Sequence, residues 1–507
     1  MRVTAEDGAP EGVAALLGTA AADRPSGVAI RDTDSGEVLT WAGLDAAAAA
    51  QAARLAEAGV TPGDRVALRL PTSADFVVGL FAALRAGAIV VPISPQAPAP
   101  ELHRLLDHSG ALVVLQRTAG DDLPEDVVAL PPRAGGAPAE PVDVVRGGED
   151  IAVISYTSGT TGPPRGVMLS HRALLANLAQ LSQVQGALQA TDRVLITIPL
   201  FHVYGLGPGL LQAAAVGATA VLSERFEAVR TLELCVEHRV TSITGVPVMY
   251  AEFAALGAEA LGRGLATVRR MNSGAAPLHP KVLTAIRQAT GLDVYEGYGL
   301  TECAPVVTST LVTGYPKPGS VGRPLPGVEL RLVDSDGAAG EPPLDPDDPD
   351  DVFDVLDAEG GTGLVSVRGA NLFSGYWPDG TSGPGEDGWY RTGDVGYLDS
   401  EGDLHLVDRA NDLIIVNGFN VFPREVEEVI GRLPEVAEAA VVGVVDERSG
   451  EAVKAFVVPA EGASLSEQQV VEHCAARLAG YKVPHAVEFT ESLPHSATGK
   501  LRRLRLR

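Results

Sequence analysis

"SYTSGTTGPPRGVMLSH", residues 155–171, follows the apolar run IAVI and brings six serine or threonine residues, three glycines and one arginine together. Backbone N–H groups that no large side chain covers can converge on phosphate oxygens, so such a segment after a strand favours an anion-binding loop. It is not a Walker-type P-loop, because GxxxxGK[ST] is absent from it. Taken alone, it is equally compatible with an ordinary turn.

Helix and strand patterns alternate on both sides of this segment. The stretch DAAAAAQAARLAEAG predicts a helix that is capped by Asp45 and ends at Gly59, and GDRVALRL predicts the strand after it. The same alternation returns in LLANLAQLSQ, RVLITIP and ATAVL. Such a rhythm predicts an α/β fold, with parallel sheets covered by helices in a large amino-terminal domain.

The pattern changes towards the carboxyl end. From about residue 325, short strands separated by Gly and Asp turns predict a β-rich subdomain, and the last hundred or so residues predict a separate small α+β domain. The acidic, proline-rich segment 341–361 is compatible with a solvated surface loop or with a docking segment, because its composition resists packing.

Composition excludes several classes of function. The net charge of −26 over 507 residues argues against a nucleic-acid or anionic-membrane binder, which needs a cationic surface. Cys235, Cys303 and Cys474 lie far apart, which argues against a disulfide framework or a CxxC zinc site. Neither a secretion signal nor a membrane-spanning segment is recognisable, so a cytoplasmic protein without membrane insertion is expected.

Further motifs follow the opening segment in a fixed order. They are MNSGAAPL (271–278), YEGYGLTECAPVV (295–307), WYRTGDVGYLD (389–399), LVDRANDLIIVNGFNVFPREVEE (406–428) and PHSATGKLRR (494–503). Together they resemble the motifs of the adenylate-forming superfamily, which contains acyl-CoA synthetases, peptide-synthetase adenylation domains and luciferases. The closest resemblance is to bacterial fatty-acyl-CoA ligases, from about residue 25 to the carboxyl end.

This resemblance implies the bounds of the domains and the function of each. Residues 1–408 would form the ATP- and acid-binding domain, with its β-rich subdomain at about 325–408. Residues 409–411 would be the hinge, and 412–507 the small domain that rotates between two half-reactions. The pivot would be Asn411, where the family usually has Lys or Asp; Asn tolerates unusual backbone angles.

The resemblance also assigns residues to ATP. The β- and γ-phosphates would be held by Thr157, Ser158, Gly159, Thr160, Thr161, Gly162 and Arg165. Arg165 stands where the family usually has lysine, and a solvated loop cation is the alternative. Glu302 would be the Mg²⁺ ligand, since a hard carboxylate suits that ion, and Thr301 would contact the α-phosphate.

The nucleoside would be held by later motifs. The adenine and ribose residues would be Gly274, Ala275, Ala276, Glu296, Gly297, Tyr298, Gly299, Asp394 and Arg409. Tyr298 would stack on adenine, although it is also compatible with a core tyrosine. Asp394 would accept hydrogen bonds from the ribose hydroxyls, with Arg409 as the second contact.

The resemblance also assigns residues that would bind the carboxylic acid and the thiol. The acyl pocket would contain His202, Val203, Gly205 and Gly207, where the glycines would leave room for an alkyl tail or simply allow close packing. His202 would lie near the substrate carboxylate or serve as a structural histidine. Lys500 would reach the α-phosphate, unless it is one more solvated cation of the tail. Gly418, Phe419 and Asn420 would line the pantetheine channel.

The implied function is ATP- and Mg²⁺-dependent activation of a hydrophobic, preferably fatty, carboxylic acid to an acyl-adenylate, followed by transfer to coenzyme A. His202 and Val203 replace the aspartate that amino-acid-activating relatives use, which argues against an ammonium-bearing substrate. Two alternatives remain open. One is an acyl-AMP ligase that loads the phosphopantetheine of an acyl carrier protein, and the other is a non-catalytic adenylate sensor.

Overall fold

The computed structural model describes residues 12–118, 122–133, 142–157, 165–333, 362–409, 414–416, 419–446, 450–478, 480–495 and 501–506. The predictions for residues 158–162, Asn411, Gly418, Lys500 and the acidic segment 341–361 lie outside these residues. By internal packing the chain divides into two compact units, Met1–Glu329 with Arg368–Tyr390, and Leu330–Val367 with Arg391–Arg507.

The helices are short and lie mainly in the first unit. The α-helices are α1 (Ala15–Asp23), α2 (Trp41–Glu57), α3 (Ala74–Arg85), α4 (Ala99–Ser109), α5 (His171–Leu181), α6 (Gln212–Val216), α7 (Ala228–Glu237), α8 (Pro247–Ala255), α9 (Ala258–Gly264), α10 (Pro280–Thr290), α11 (Pro423–Ile430) and α12 (Glu467–Ala475). A π-helix covers Gly205–Leu211, and 3₁₀ turns cover Thr301–Cys303, Thr310–Val312, Gly480–Lys482 and Arg503–Arg505.

The strands begin with those of the first unit. They are β1 (Val28–Asp32), β2 (Val38–Thr40), β3 (Arg65–Leu68), β4 (Ile89–Pro92), β5 (Val113–Leu115), β6 (Val128–Leu130), β7 (Ile151–Thr157), β8 (Arg165–Ser170), β9 (Arg193–Ile196), β10 (Thr219–Leu222), β11 (Ser242–Gly245), β12 (Arg270–Ser273), β13 (Val294–Gly299), β14 (Val306–Ser309) and β15 (Arg323–Pro324). The later strands are β16 (Val328–Val333), β17 (Gly363–Gly369), β18 (Tyr390–Leu398), β19 (Leu404–Arg409), β20 (Ile414–Val416), β21 (Phe419–Val421), β22 (Val436–Asp446), β23 (Gly450–Pro459) and β24 (Ala486–Phe489).

Two large sheets organise the first unit. One has the order β6-β5-β3-β4-β7-β8 and is parallel except for the β7–β8 hairpin. The other has the order β15-β14-β13-β12-β11-β9-β10-β1-β2, with a parallel centre from β13 to β1. Because one apolar core contains Val66 and Val90 of the first sheet and Val194 and Ile196 of the second, the two sheets share it.

Helices cover the outer faces of both sheets. Helices α7–α10 pack their apolar residues on the nine-stranded sheet around Ile243 and Met271, and α4 packs on the six-stranded sheet around Val91 and Val114. The predicted α/β class, with helix-covered parallel sheets in the large domain, is therefore confirmed.

The remaining sheets are smaller. A four-stranded sheet has the order β16-β17-β18-β19, and a further sheet has the order β21-β20-β23-β22 with β24 beside β23. Helices α11 and α12 pack on the latter through Val426, Ile430 and Val470. This agrees with the predicted β-rich subdomain and small α+β carboxyl-terminal domain. The predicted hinge at 409–411 stays a prediction.

One predicted helix start was wrong. Helix α2 begins at Trp41, and Oγ1 of Thr40 accepts a hydrogen bond from the backbone N–H of Gly43 at 3.0 Å. Asp45, expected as the cap, lies inside the helix and pairs with Arg85. A serine caps α3 in the same way as Thr40 caps α2, since Ser73 accepts from the N–H of Phe76.

Candidate active site

Two antiparallel strands flank the predicted phosphate loop. Strands β7 and β8 pair antiparallel along their whole length, and the pair that closes the hairpin is Thr157 opposite Arg165. The Arg165 side chain is exposed, whereas Gly166 to Ser170 are buried. The pairing of β7 with β8 therefore places Thr157 and Arg165, the residues on either side of the predicted phosphate loop, next to each other.

A loop that sequence reasoning missed runs along β8. The N–H of Trp377 donates to the carbonyl of Gly166 at 2.7 Å, and Met168 exchanges hydrogen bonds with Ser374 and Gly375 at 2.9 and 3.1 Å. This pairing brings Tyr376 beside Arg165, with the guanidinium carbon 5.3 Å from the ring centroid. A lone tyrosine in a glycine-rich loop gives no sequence signal for such a role.

Tyr376 also reaches Glu302. Its hydroxyl donates to Oε1 of Glu302 at 2.7 Å and lies 3.3 Å from the hydroxyl of Tyr390. The ring of Phe373 packs edge-on against both tyrosines, with centroids 5.1 and 5.0 Å away. Burial and the Glu302 carboxylate raise the pKa of both tyrosines, so they act as neutral hydrogen-bond donors.

Glu302 is held from its backbone as well. It lies in the 3₁₀ turn Thr301–Cys303, and its carbonyl accepts from the N–H of Phe373 at 2.9 Å. A half-buried carboxylate with one oxygen bound by a neutral phenol is a donor of the type that Mg²⁺ prefers. The residues present therefore fit the metal role predicted for Glu302.

The predicted adenine residues lie on neighbouring strands. Ser273 at the end of β12 stands beside Glu296 of β13, so Gly274 and Gly297 follow at one sheet edge. Oε2 of Glu296 accepts from the N–H of Leu278 at 3.1 Å, which ties the loop through Ala275 and Ala276 to β13. Ala275 has a φ of +69°, a conformation rare outside glycine.

Close approach explains two glycines of this group. A Cβ atom at Gly299 would lie 2.1 Å from the carbonyl oxygen of Pro305, and one at Gly297 would lie 3.0 Å from the carbonyl oxygen of Thr308. Tyr298, between them, is buried opposite Thr308. Stacking of Tyr298 on adenine stays a prediction.

The predicted ribose pair meets across one antiparallel ladder. Asp394 of β18 stands opposite Arg409 of β19. The Asp394 side chain is buried, and its backbone N–H donates to Oγ1 of Thr392 at 3.2 Å. Two residues 15 positions apart in sequence are thus cross-strand neighbours, as a shared ligand would require.

The acyl candidates surround a tyrosine that sequence reasoning did not single out. Nδ1 of His202 accepts from the backbone N–H of Tyr204 at 3.2 Å. The Tyr204 ring lies against Gly274, where a Cβ atom would be 2.9 Å from Cζ of the ring. His202 is therefore connected to the predicted adenine loop through Tyr204, and Val203 is buried in the core.

The two acyl-pocket glycines are tightly packed in the π-helix. A Cβ atom at Gly205 would lie 2.5 Å from the carbonyl oxygen of Pro199, and one at Gly207 would lie 3.0 Å from Cδ of Pro305. These close contacts favour the alternative interpretation of Gly205 and Gly207, in which the glycines allow tight packing and do not leave room for an alkyl tail. A larger side chain at Gly207 would have to displace Pro305.

A separate cleft of about 500 Å³ opens on the six-stranded sheet. Arg69, Gln116, Arg117 and Asp122 contribute its polar lining. Arg69 pairs with Asp122 at 2.5 Å, while its Nε is buried without a hydrogen-bond partner among the described residues. Arg117 pairs with Asp75 at 2.7 Å. Because Arg69 is engaged by Asp122 and by the Ala97 carbonyl, Arg117 is the guanidinium that the cleft offers to an anion.

Comparison with known protein families decides the membership of the chain. Residues 17–377 match the AMP-binding enzyme model, and residues 425–500 match the AMP-binding enzyme C-terminal domain model. The chain belongs to the AMP-binding enzyme family. The suspected adenylate-forming superfamily is thereby confirmed.

Related enzymes align with this chain over nearly its whole length. The chain is 36% identical over 492 residues to a feruloyl-CoA synthase of Amycolatopsis sp, covering 94% of both chains. It is 34% identical over 545 residues to a long-chain-fatty-acid–CoA ligase of Escherichia coli O157:H7, covering 96% of this chain and 92% of the relative. The enzyme is accordingly an AMP-forming acid–thiol ligase.

Solved structures of similar proteins also match this chain over nearly its whole length. ATP-bound MatB from Rhodopseudomonas palustris matches with a TM-score of 0.87 and 30% identity over 97% of this chain and 98% of that one. The o-succinylbenzoate coenzyme A synthetase (MenE) of Bacillus subtilis, in complex with ATP and a magnesium ion, matches with a TM-score of 0.84 and 29% identity over 97% and 98%. Among the described helices of the ligase, none is long and apolar enough to span a membrane.

Proposed function

We propose that the enzyme uses ATP to convert a hydrophobic carboxylic acid into an acyl-adenylate with release of pyrophosphate, and then transfers the acyl group to coenzyme A. The observation that carries this proposal is the cluster of Arg165, Tyr376 and Glu302 at the closing end of the β7–β8 hairpin. It places the Arg165 guanidinium over the Tyr376 ring and the Glu302 carboxylate at the Tyr376 hydroxyl, where the described strands lead into the segment rich in N–H and hydroxyl groups.

The chemistry requires such a cluster because both reactants are anions. A carboxylate oxygen forms a bond to the α-phosphorus while the bond to the pyrophosphate oxygen breaks, and negative charge must be neutralised throughout. Glu302 would hold Mg²⁺, which supplies charge neutralisation at the phosphates when bound. Arg165 would bind the departing phosphates, and Lys500 would bind the attacking carboxylate.

The acid is proposed to be hydrophobic because its predicted surroundings are largely apolar. Val203 and Leu206 are buried next to His202, and Ala304 lies in the same core. Relatives named for fatty acids and for ferulate support a hydrophobic acid of either kind. A fatty acid remains our first choice on sequence.

Coenzyme A is the proposed acceptor. The cleft beside the exposed Arg117 would accept a phosphate of a nucleotide-bearing thiol, because a guanidinium binds phosphate in two-point contacts. An acyl carrier protein, the alternative, presents one phosphodiester and a protein surface instead. A cytoplasmic location stays a prediction.

Two measurements test the proposal. Acid-dependent pyrophosphate release with fatty, arylalkenoic and polycyclic acids tests adenylation, and no release with any of them would overturn it. Thioester formation is then compared between free coenzyme A and a panel of carrier proteins. Arg117→Ala should raise KM for coenzyme A without changing pyrophosphate exchange, and negligible turnover with free coenzyme A would favour the carrier protein.

A further inference from the structure

The two faces of the parallel sheet centre differ in polarity. On one face Leu195, Ile243, Met271 and Val294 form an unbroken apolar row under helices α7–α10. The next residue of β11 and β12 points to the opposite face, because side chains alternate along a strand. That face carries Ser242, Thr244, Arg270, Asn272 and Tyr295 in adjacent register positions.

Arg270 is the most unusual member of this face. Its side chain is 6% exposed, and its Nη1 donates to the carbonyl of Gly186 at 3.2 Å. The Asn272 carboxamide, oriented to satisfy both partners, accepts from Nε and Nη2 at 3.0 and 3.2 Å. Burial lowers the pKa of Arg270 to about 10, although the group stays cationic at neutral pH.

No ion pair neutralises this cation within the described part of the chain. Asp192, which acts on Arg270 only through space, is hydrogen-bonded to Arg269 and Thr241. Neutral acceptors therefore carry all the direct contacts of the guanidinium. A buried cation without a paired carboxylate is costly, so an additional acceptor would be strongly favoured.

The polar face continues towards the predicted reacting carboxylate. Tyr204 lies against Gly274, and its backbone N–H donates to Nδ1 of His202. Ser242, directly beside Arg270 in register, has a buried hydroxyl without a hydrogen-bond partner among the described residues. Arg270 begins β12 and Ser242 begins β11, whereas Gly274 follows the last residue of β12, so both polar groups lie at the strand ends remote from the predicted adenine loop.

We propose that Arg270 is a specificity-determining residue at the distal end of the acyl pocket, and that the preferred acid carries a hydrogen-bond acceptor at the end remote from its reacting carboxylate. A hydroxyl, an ether oxygen or a second carboxylate has this chemistry. The inference rests on the proposed function, which sets the reacting carboxylate near His202. An unsubstituted alkyl or aryl terminus would leave Arg270 desolvated with no new partner.

Matched acids test the inference directly. The pairs are cinnamate with 4-hydroxycinnamate, and dodecanoate with 12-hydroxydodecanoate and dodecanedioate, compared by kcat/KM for pyrophosphate release. The acceptor-bearing acid of at least one pair should be favoured about tenfold or more, the value of one hydrogen bond to a charged group. The hydroxy acid and the diacid separate a neutral from an anionic acceptor.

Variants then assign the preference to Arg270. Arg270→Met should bring the ratio close to one, mainly by raising KM for the acceptor-bearing acid, while Arg270→Lys should retain part of it. Arg230→Met is the control, because Arg230 is an exposed arginine of α7 that pairs with Glu233 at 3.2 Å. Its ratio should equal that of the wild type.

The outcomes separate the two proposals. No pyrophosphate release with any acid would remove the proposed function itself. Release without preference between the members of every pair would overturn the role of Arg270 alone, and this result needs only the wild-type enzyme. A preference that survives unchanged in a folded Arg270→Met, as judged by its thermal midpoint, would also overturn it.

Discussion

The hydroxyl of Tyr376 donates to Oε1 of Glu302 at 2.7 Å while the ring of Tyr376 faces the guanidinium of Arg165. One side chain therefore orients the candidate metal ligand and packs on the candidate phosphate-binding cation. Tyr376 is a positioning residue, since it acts through these two groups.

Tyr376→Phe should raise the Mg²⁺ concentration needed for half-maximal ATP binding by roughly tenfold, the value of one hydrogen bond to a carboxylate. Calorimetric titration of ATP at several Mg²⁺ concentrations measures this without turnover. Tyr315→Phe is the control, because Tyr315 is 56% exposed. An unchanged Mg²⁺ dependence in Tyr376→Phe would show that the hydrogen bond does not orient Glu302.

Glu302→Gln should lower pyrophosphate exchange by about 10² or more, because a charged ligand at the transferring phosphate is lost. Glu329→Gln is a matched carboxylate control, since Glu329 is an exposed partner of Arg368. Exchange near the wild-type rate in Glu302→Gln would remove Glu302 from the metal site.

Lys500→Ala should suppress pyrophosphate exchange by on the order of 10² to 10³, because the ammonium is expected to stabilise the charge of the adenylation transition state. The same variant should convert supplied acyl-adenylate to thioester at close to the wild-type rate. Arg502→Ala, an exposed cation of the same tail, is the control. Equal losses in both half-reactions would contradict a two-pose mechanism.

His171 should make the stability of the enzyme depend on pH. Its Nδ1 accepts from the N–H of Val13 at 3.0 Å, and burial lowers its pKa from 6.5 to about 4, with Arg146 lowering and Asp150 raising it. The unfolded chain therefore binds the proton first. Stability is fully present above pH 6.5 and falls by on the order of 3 kcal/mol as the pH drops to about 4.

Thermal midpoints between pH 7.5 and 4 measure this dependence. His171→Gln, which retains an acceptor for Val13, should flatten the profile in that window. His103→Gln is the control, because the His103 side chain is exposed. Parallel profiles for wild type and His171→Gln would exclude His171 as the titrating group.

Local patterns were enough to predict the sheets, because apolar runs and helix stops are encoded within single segments. Gly87 ends α3 with a φ of +76°, as expected from the glycine alone. The cap of α2 was misplaced because Thr40 precedes Trp41, whose burial extends the helix by a turn beyond the alanine run. Several polar residues compete as caps, and packing decides between them.

Site residues that depend on long-range pairing could not be predicted. Tyr376 reaches Glu302 only because residues 374–377 pair with β8, about 200 positions earlier. Arg270 belongs to no motif of the sequence, and only the register with β11 and β13 shows that its face is polar and buried. By contrast, Asp394 and Arg409 came from motifs, and the ladder brings them together.

The closing pair Thr157–Arg165 also constrains evolution of the phosphate segment. Two residues paired across an antiparallel ladder have Cα atoms roughly 5 Å apart, so the seven residues 158–164 must return the chain to its starting point. Because pairing of β7 with β8 already holds the two ends of this segment together, most of the loop-closure entropy is lost when the strands form. Inserting or deleting one residue in 158–164 should therefore harm nucleotide binding more than most substitutions within it.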